Sequence, residues 1–222
     1  MTYGRFASGS PRRQVLSTYR TAPAMARAHV AVRWATCPLP AVAAQLPAAG
    51  RILDVGCGHG LLSLFLALES PDRHVIGIDV DEDKLAVARG AADGLSVRFQ
   101  VVTGGELPDG PWDGIGIVDV LYLLSAEDQR SLLRSCAGAL APGGVLAVKE
   151  MALVPRWKAR WNVLQETAAV KILGITEGED FTFLPPADMA TAMAGGGLTV
   201  TDRPIHRGYP HPHHLLVGRK AE

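Results

Sequence analysis

Three glycines at alternate positions, Gly56, Gly58 and Gly60, lie between an apolar run, Ile52 to Val55, and a second one, Leu61 to Leu68. Glycine turns sharply at positive φ and lets a ligand approach the backbone with no Cβ in the way. A strand–turn–helix of this composition can hold a nucleotide-like ligand at the carboxyl end of a parallel sheet. Asp54 precedes the turn and is expected to place a carboxylate at the lip of that crevice. Cys57 sits inside the turn, where a small side chain fits. A second acid, Asp79, ends the run Val75-Ile-Gly-Ile, 23 residues after Gly56. An acid at the tip of a second strand can accept hydrogen bonds from both ribose hydroxyls of a nucleoside. Val80 follows and can cover one face of the base. The other reading of Asp79 is a helix N-cap, but Asp81 is adjacent to the next helical run and suits that role better. The dinucleotide fingerprint places its glycines as G-x-G-x-x-G; here Gly60 comes one residue early and Leu61 follows.

Candidate proton-transfer groups stand later in the chain. Glu150 closes a strand-like run, at the end where ligands bind in open α/β sheets; it can orient an acceptor, or pair with Lys149 or Arg156 on the rim. His206, His211, His213 and His214 cluster toward the carboxyl terminus. A histidine-rich turn can supply a general base or be a surface loop.

Strand and helix patterns alternate to position these groups. Arg51–Val55, His74–Asp79, Ser96–Val101, Gly114–Val120 and Gly144–Lys149 are short runs rich in Val and Ile, as strands covered on both faces should be. Leu61–Glu69, Glu82–Ala91 and Ala126–Leu140 carry apolar residues at helical spacing. The alternation implies right-handed βαβ crossovers and a doubly wound parallel sheet. Ahead of it, residues 1–11 read as a mobile tail, 12–35 as one or two helices interrupted at Pro23, and 41–46 as a short helix. After it, Arg156–Leu173 and Pro186–Ala194 read as helices, and Leu198–His206 with His214–Arg219 as an antiparallel hairpin.

The string Leu53-Asp-Val-Gly-Cys-Gly-His-Gly60 resembles motif I of the class I S-adenosylmethionine-dependent methyltransferases. The resemblance implies an α/β, Rossmann-like sheet of seven strands in the order 3-2-1-4-5-7-6 with the last strand antiparallel, and S-adenosylmethionine as cofactor. It also implies further site residues. Thr103-Gly-Gly-Glu-Leu-Pro108 matches the region that meets the adenine amino group, with Gly105 where the family often has Asp. Either Glu106 substitutes there or a backbone N–H does. Asp119, near the end of the fourth strand, matches motif IV and would face the methionine end of the cofactor. Tyr122 would line the methyl-transfer channel, or serve as a core tyrosine at the sheet edge. Leu140-Ala-Pro-Gly-Gly144 resembles the turn before the fifth strand, its glycines supplying a helix C-cap and a turn. The motifs span about residues 51–150.

Composition narrows the function. At 222 residues the chain suits one domain, divided as 1–47 (helical cap), 48–150 (cofactor-binding core), 151–195 (helical insertion) and 196–222 (terminal hairpin). No run of 18 uncharged apolar residues exists, so no membrane span is expected. Cys37, Cys57 and Cys136 are odd in number and lack metal-ligand spacing, which points to a reduced, cytoplasmic protein without a bound metal. Net charge is zero, yet residues 1–53 carry seven arginines and no acid. Those arginines form a solvated face, or meet an anionic ligand, carrier or membrane surface. No basic motif interleaved with aromatics supports a nucleic-acid partner. No Asn-Pro-Pro-Tyr or Asp-Pro-Pro-Tyr tetrad follows the fourth strand, against DNA-base or glutamine methylation. The expected acceptor is a small, hydrophobic or lipid-like metabolite, anionic or carrier-bound, and methylation at oxygen is favoured. A cofactor-binding module without turnover and a nicotinamide-dependent oxidoreductase are the alternatives. The apolar insertion (Trp157, Trp161, Phe181, Phe183) and the amino-terminal helices would roof the site, with Arg20, Arg27 and Arg156 nearest the acceptor.

Overall fold

Seven strands form one sheet in the order β3-β2-β1-β4-β5-β7-β6 in the computed structural model. The structure describes residues 10–103, 105–151, 182–205, 209 and 212–222. The strands are β1 (Gly50–Val55), β2 (Arg73–Asp79), β3 (Val97–Val101), β4 (Trp112–Val118), β5 (Leu140–Met151), β6 (Leu198–Pro204) and β7 (His213–Lys220). The first five pair in parallel, and β7 runs antiparallel between β5 and β6. The expected strand order and terminal hairpin are both present. Helices α1 (Pro11–Thr18), α2 (Ala24–Thr36), α3 (Leu39–Ala43), α4 (Leu61–Glu69), α5 (Glu82–Gly90), α6 (Ala126–Ala139) and α7 (Pro186–Gly195) flank it.

Strand side chains alternate between the two faces, and here both faces are apolar. Ile52, Val145, Ala147, Leu215 and Val217 pack with α1–α5, whereas Leu53, Leu146, Val148 and Leu216 pack with α6 and α7. On the first face β4 offers Gly114 and Gly116, where a Cβ would meet Leu46, Pro47, Ile52 and Leu62 within 3.3 Å. Missing side chains thus let α3 and α4 sit close to the sheet.

Several boundaries differ from expectation. Ser10 and Pro11 belong to α1: the Ser10 hydroxyl accepts from Arg13 N–H, and Pro11 opens the helix, where a missing N–H costs nothing. Pro40 likewise lies in the first turn of α3, so that helix starts at Leu39 rather than Ala41. The glycines of Leu140-Ala-Pro-Gly-Gly144 supply no helix C-cap, because α6 is capped by Leu140 itself, already extended (φ −71, ψ 143). The segment is the bulged start of β5, where the register jumps from Trp112↔Leu140 to Gly114↔Val145. The helix expected over 156–173 lies outside the described residues.

Candidate functional site

The carboxyl ends of β1, β2, β4 and β5 converge below the amino-terminal helices. At β1 the three glycines separate into two roles. A Cβ on Gly56 would lie 2.4 Å from Val120, and one on Gly60 would lie 2.6 Å from Phe99 and 2.9 Å from Ala88. Those two are glycine because protein fills the space. Gly58 (φ +53) faces only the Lys84 side chain, at 3.9 Å, so it alone opens the turn to a ligand. The expectation that all three serve ligand approach is corrected accordingly. Asp54 is also displaced from the place expected for it. It is buried beneath the turn, not at its lip, and accepts a 2.6 Å hydrogen bond from the Ser63 hydroxyl in α4. Burial pushes its carboxyl up to about 7 although the Ser63 bond opposes the rise. Cys57 donates its N–H to Ile78 and is half-buried. Burial, with Asp54 and Asp79 nearby, raises its thiol well above the usual range.

Asp79 stands half-buried at the tip of β2. Its two oxygens accept from Gly58 N–H (2.7 Å) and Asp81 N–H (3.0 Å), and Asp81 caps α5 through Lys84 N–H. A carboxylate has about four acceptor sites, so each oxygen keeps a lone pair for a ribose hydroxyl. Val80 beside it is 72% exposed, so its apolar side chain stands open next to the carboxylate. Gly105 (φ +77) and Glu106 are exposed in the loop after β3. The open cradle at Gly58, the part-used carboxylate and the bare valine fit an adenosine moiety. S-adenosylmethionine would be held here by Gly58, Asp79, Val80 and the 105–106 loop.

Across the sheet Asp119 follows β4 directly, at φ +53. It is buried and clamped: Lys149 Nζ donates to both oxygens (2.5 and 2.6 Å) and Arg33 of α2 donates at 2.7 Å. Burial alone would raise its pKa, but Arg33 and Lys149 outweigh that and hold it below the usual carboxylate range. Lys149 is therefore the partner of Asp119 and not of Glu150, as one expectation had it. Glu150 is buried behind the rim, where Oε1 accepts from Val120 and Leu121 N–H (2.9 Å each). It orients the turn after β4, Leu121–Leu123, which contains Tyr122. Tyr122 stacks on Phe183 at 5.6 Å and accepts from Thr182 N–H. His213 is buried, with Nε2 3.1 Å from the Thr36 carbonyl at the end of α2, and it helps hold the Asp119 carboxyl down. The final hairpin thus does reach the site. His214 points away to Asp202 (2.9 Å). His206, His211, Arg156 and most of the insertion lie outside the described residues, and Arg20 and Arg27 are exposed.

The amino-terminal cap touches the glycine turn directly. Tyr19 donates its hydroxyl to the His59 carbonyl (2.8 Å), and His29 of α2 stands over His59 with ring centroids 4.8 Å apart. Tyr19, His29, Arg33 and Lys149 had no distinct mark in the sequence. Arg33 was one of seven arginines, and Lys149 carried only its place at a strand end.

Burial, with Asp119 adding, pushes Glu150 up to about 8, and its two backbone bonds oppose this. An acid whose pKa is raised by folding keeps its proton after the unfolded chain has lost it. Stability then falls as pH rises from the unfolded value to the folded one. Glu150→Gln keeps the Oε1 acceptor and removes the titration. Urea midpoints measured from pH 5 to about 8 should therefore fall more steeply for wild type than for Glu150→Gln. Parallel curves would show that Glu150 is ionised throughout.

The sequence profile of the methyltransferase domain family matches residues 52–144. A ubiquinone biosynthesis O-methyltransferase of Marinobacter nauticus is 33% identical over 158 residues, covering 68% of this chain and 65% of its own length. One from Xanthomonas axonopodis pv. citri is 31% identical over 167 residues, covering 72% and 68%. The chain thus spans just under two thirds of the first of these relatives. The solved structure of an S-adenosylmethionine-dependent methyltransferase from Methanosarcina mazei shares the fold, with a TM-score of 0.61 and 21% identity, over 82% of this chain and 97% of that one.

Proposed function

Because this chain belongs to the class I S-adenosylmethionine-dependent methyltransferases, we propose that it transfers a methyl group from S-adenosylmethionine to an oxygen of a small, hydrophobic or lipid-like metabolite. The observation that carries this is the ligand-facing cradle of Gly58, Asp79 and Val80, opposite the clamped Asp119. Asp79 takes the ribose, Val80 one face of the base, and Gly105 and Glu106 its edge. Asp119 marks the methionine end. Asp54 and Cys57 support the turn from below. When bound, the cofactor supplies an activated methyl on a cationic sulfur, so the protein's part is to align the acceptor and keep water out. The cap of α1 and α2 serves the second task, joined to the turn through Tyr19 and His29.

The hydrophobic acceptor draws support from the relatives named for ubiquinone biosynthesis. Among the described residues the acids at the acceptor end are already engaged, Asp119 by two cations and Glu150 by two backbone N–H groups. We therefore favour an acceptor that arrives as an anion, or one deprotonated by His206 or His211. The same engagement favours a second reading, in which cofactor is held without turnover. The free cysteines, Cys37, Cys57 and Cys136, suit a reducing cytoplasmic setting. Incubation with methyl-labelled cofactor and a series of phenols bearing apolar chains of increasing length should put label on phenolic oxygen. Cofactor binding with no label in any acceptor, host lipid extract included, would leave the second reading.

A further inference from the structure

The solvent side of α2 is apolar. Residues 24, 25, 28, 32 and 35 are all exposed, and they are Ala, Met, Ala, Val and Ala. At 3.6 residues per turn they fall within an arc of about 100°. Met25 is 65% and Val32 62% exposed, two of the five large apolar side chains so exposed among the described residues. A surface helix normally turns its charges outward and its apolar stripe inward. Here Ala26 and Val30 are buried on the inner side, and the outer side is apolar as well. The surroundings are basic. Arg27 lies at the edge of the arc, Arg20 in the connection leading to α2, and Arg12 and Arg13 in α1, and all four are exposed. Residues 10–53 contain no acid.

We propose that the outer face of α2, with its flanking arginines, docks on an anionic lipid surface. An apolar helix face bordered by arginines, within a segment (10–53) that contains no acid, matches the interface of a bilayer carrying acidic headgroups. A second protein copy would bring the same arginines against themselves, and like charges facing each other oppose association. Arg27 and Arg20 meet the headgroups, while Met25 and Val32 enter the boundary below them. The same helix holds Asp119 through half-buried Arg33, and its exposed His29, just beyond the apolar arc, stands over His59 of the glycine turn. Docking therefore lays the membrane on the cap of the site, where a lipid-borne acceptor arrives. The docking itself does not depend on methyl transfer.

The test is co-sedimentation of the full chain with vesicles of phosphatidylcholine alone or with part of it replaced by phosphatidylglycerol. Binding is expected to the anionic vesicles only, and to weaken as salt shortens the Debye length from about 10 Å at 0.1 M. Arg20→Ala and Arg27→Ala should each lower the partition coefficient about fivefold, the effect of one cation leaving an anionic surface. Met25→Glu with Val32→Glu should abolish it, with binding of S-adenosylhomocysteine unchanged as the check on folding. No sedimentation with anionic vesicles, or sedimentation unaffected by Met25→Glu with Val32→Glu, overturns the proposal. So does a concentration-dependent dimer that this pair of substitutions dissolves, since a second copy would then own the face.

Discussion

Asp119→Ala is expected to destabilise the fold by about 3–5 kcal/mol, the cost of removing one partner of a buried ion pair. Lys149 has no exposed surface, and both of its short bonds go to Asp119. Without the carboxylate a buried ammonium is left with Arg33, another cation, close by. The loss is asymmetric. Lys149→Met removes the more deeply buried charge and leaves Asp119 paired with Arg33, which is half-buried and can relax toward water. It should cost less than Asp119→Ala. The combination of Asp119→Asn with Lys149→Met should recover much of that difference, because the one cation left without its carboxylate, Arg33, is half-buried and can relax toward water. Backbone adds to the effect: Asp119 holds φ +53, a conformation costing an L-residue about 1–2 kcal/mol, though least for Asp and Asn. Urea unfolding at neutral pH measures all three variants. If Asp119→Ala lost only about 1 kcal/mol, the cluster would be better hydrated than its burial implies.

The sheet was legible because both faces of each strand are covered. Val and Ile in short runs, separated by helical spacing, leave few topologies open. The helix ends were harder to place. The short helix was expected to open after Pro40, at residue 41, yet proline is tolerated in the first turn of a helix and it opens at Leu39. The first half of the site followed from local sequence: Asp79, Val80 and the glycine turn lie within consecutive elements, and their spacing carried them. The difference among the three glycines did not follow, since what fills the space at Gly56 and Gly60 is Val120 and Phe99, far away in sequence. The second half hangs on side chains brought together from α2, β4, β5 and β7. Arg33 lies 86 residues before Asp119 in sequence, and Cys37, which also contacts that carboxylate, lies 82 before it. No local pattern announces such a meeting. Lys149 was the most misleading, because a lysine in an apolar strand reads as a rim residue until the carboxylate facing it is known.

Gly58→Val is expected to abolish binding of S-adenosylhomocysteine, and Asp79→Ala to weaken it by about 1–3 kcal/mol, the cost of leaving hydrogen-bonding groups without their partner. The two act at different places on one hydrogen bond. Gly58 donates its N–H to Asp79 at 2.7 Å, so the carboxylate both presents oxygens to the ligand and pins the turn that forms the cradle. A Cβ added at Gly58 meets only the Lys84 side chain, at 3.9 Å. The cost of valine to folding is the positive φ, about 1–2 kcal/mol, while its branched side chain occupies the ligand's space. Loss of binding should thus exceed loss of stability. Asp79→Asn separates the two functions of the carboxylate. Its single side-chain oxygen can still accept from Gly58, but its amide cannot replace the second acceptor, so binding should fall between wild type and Asp79→Ala. Calorimetry with S-adenosylhomocysteine, alongside thermal unfolding of each variant without ligand, distinguishes the outcomes. Wild-type affinity in a folded Asp79→Ala would remove the ribose role from Asp79. Preferential binding of NAD by the wild type would place a different ligand in the cradle. A Gly58→Val variant that binds normally would show that the open face of the turn is not where the ligand lies.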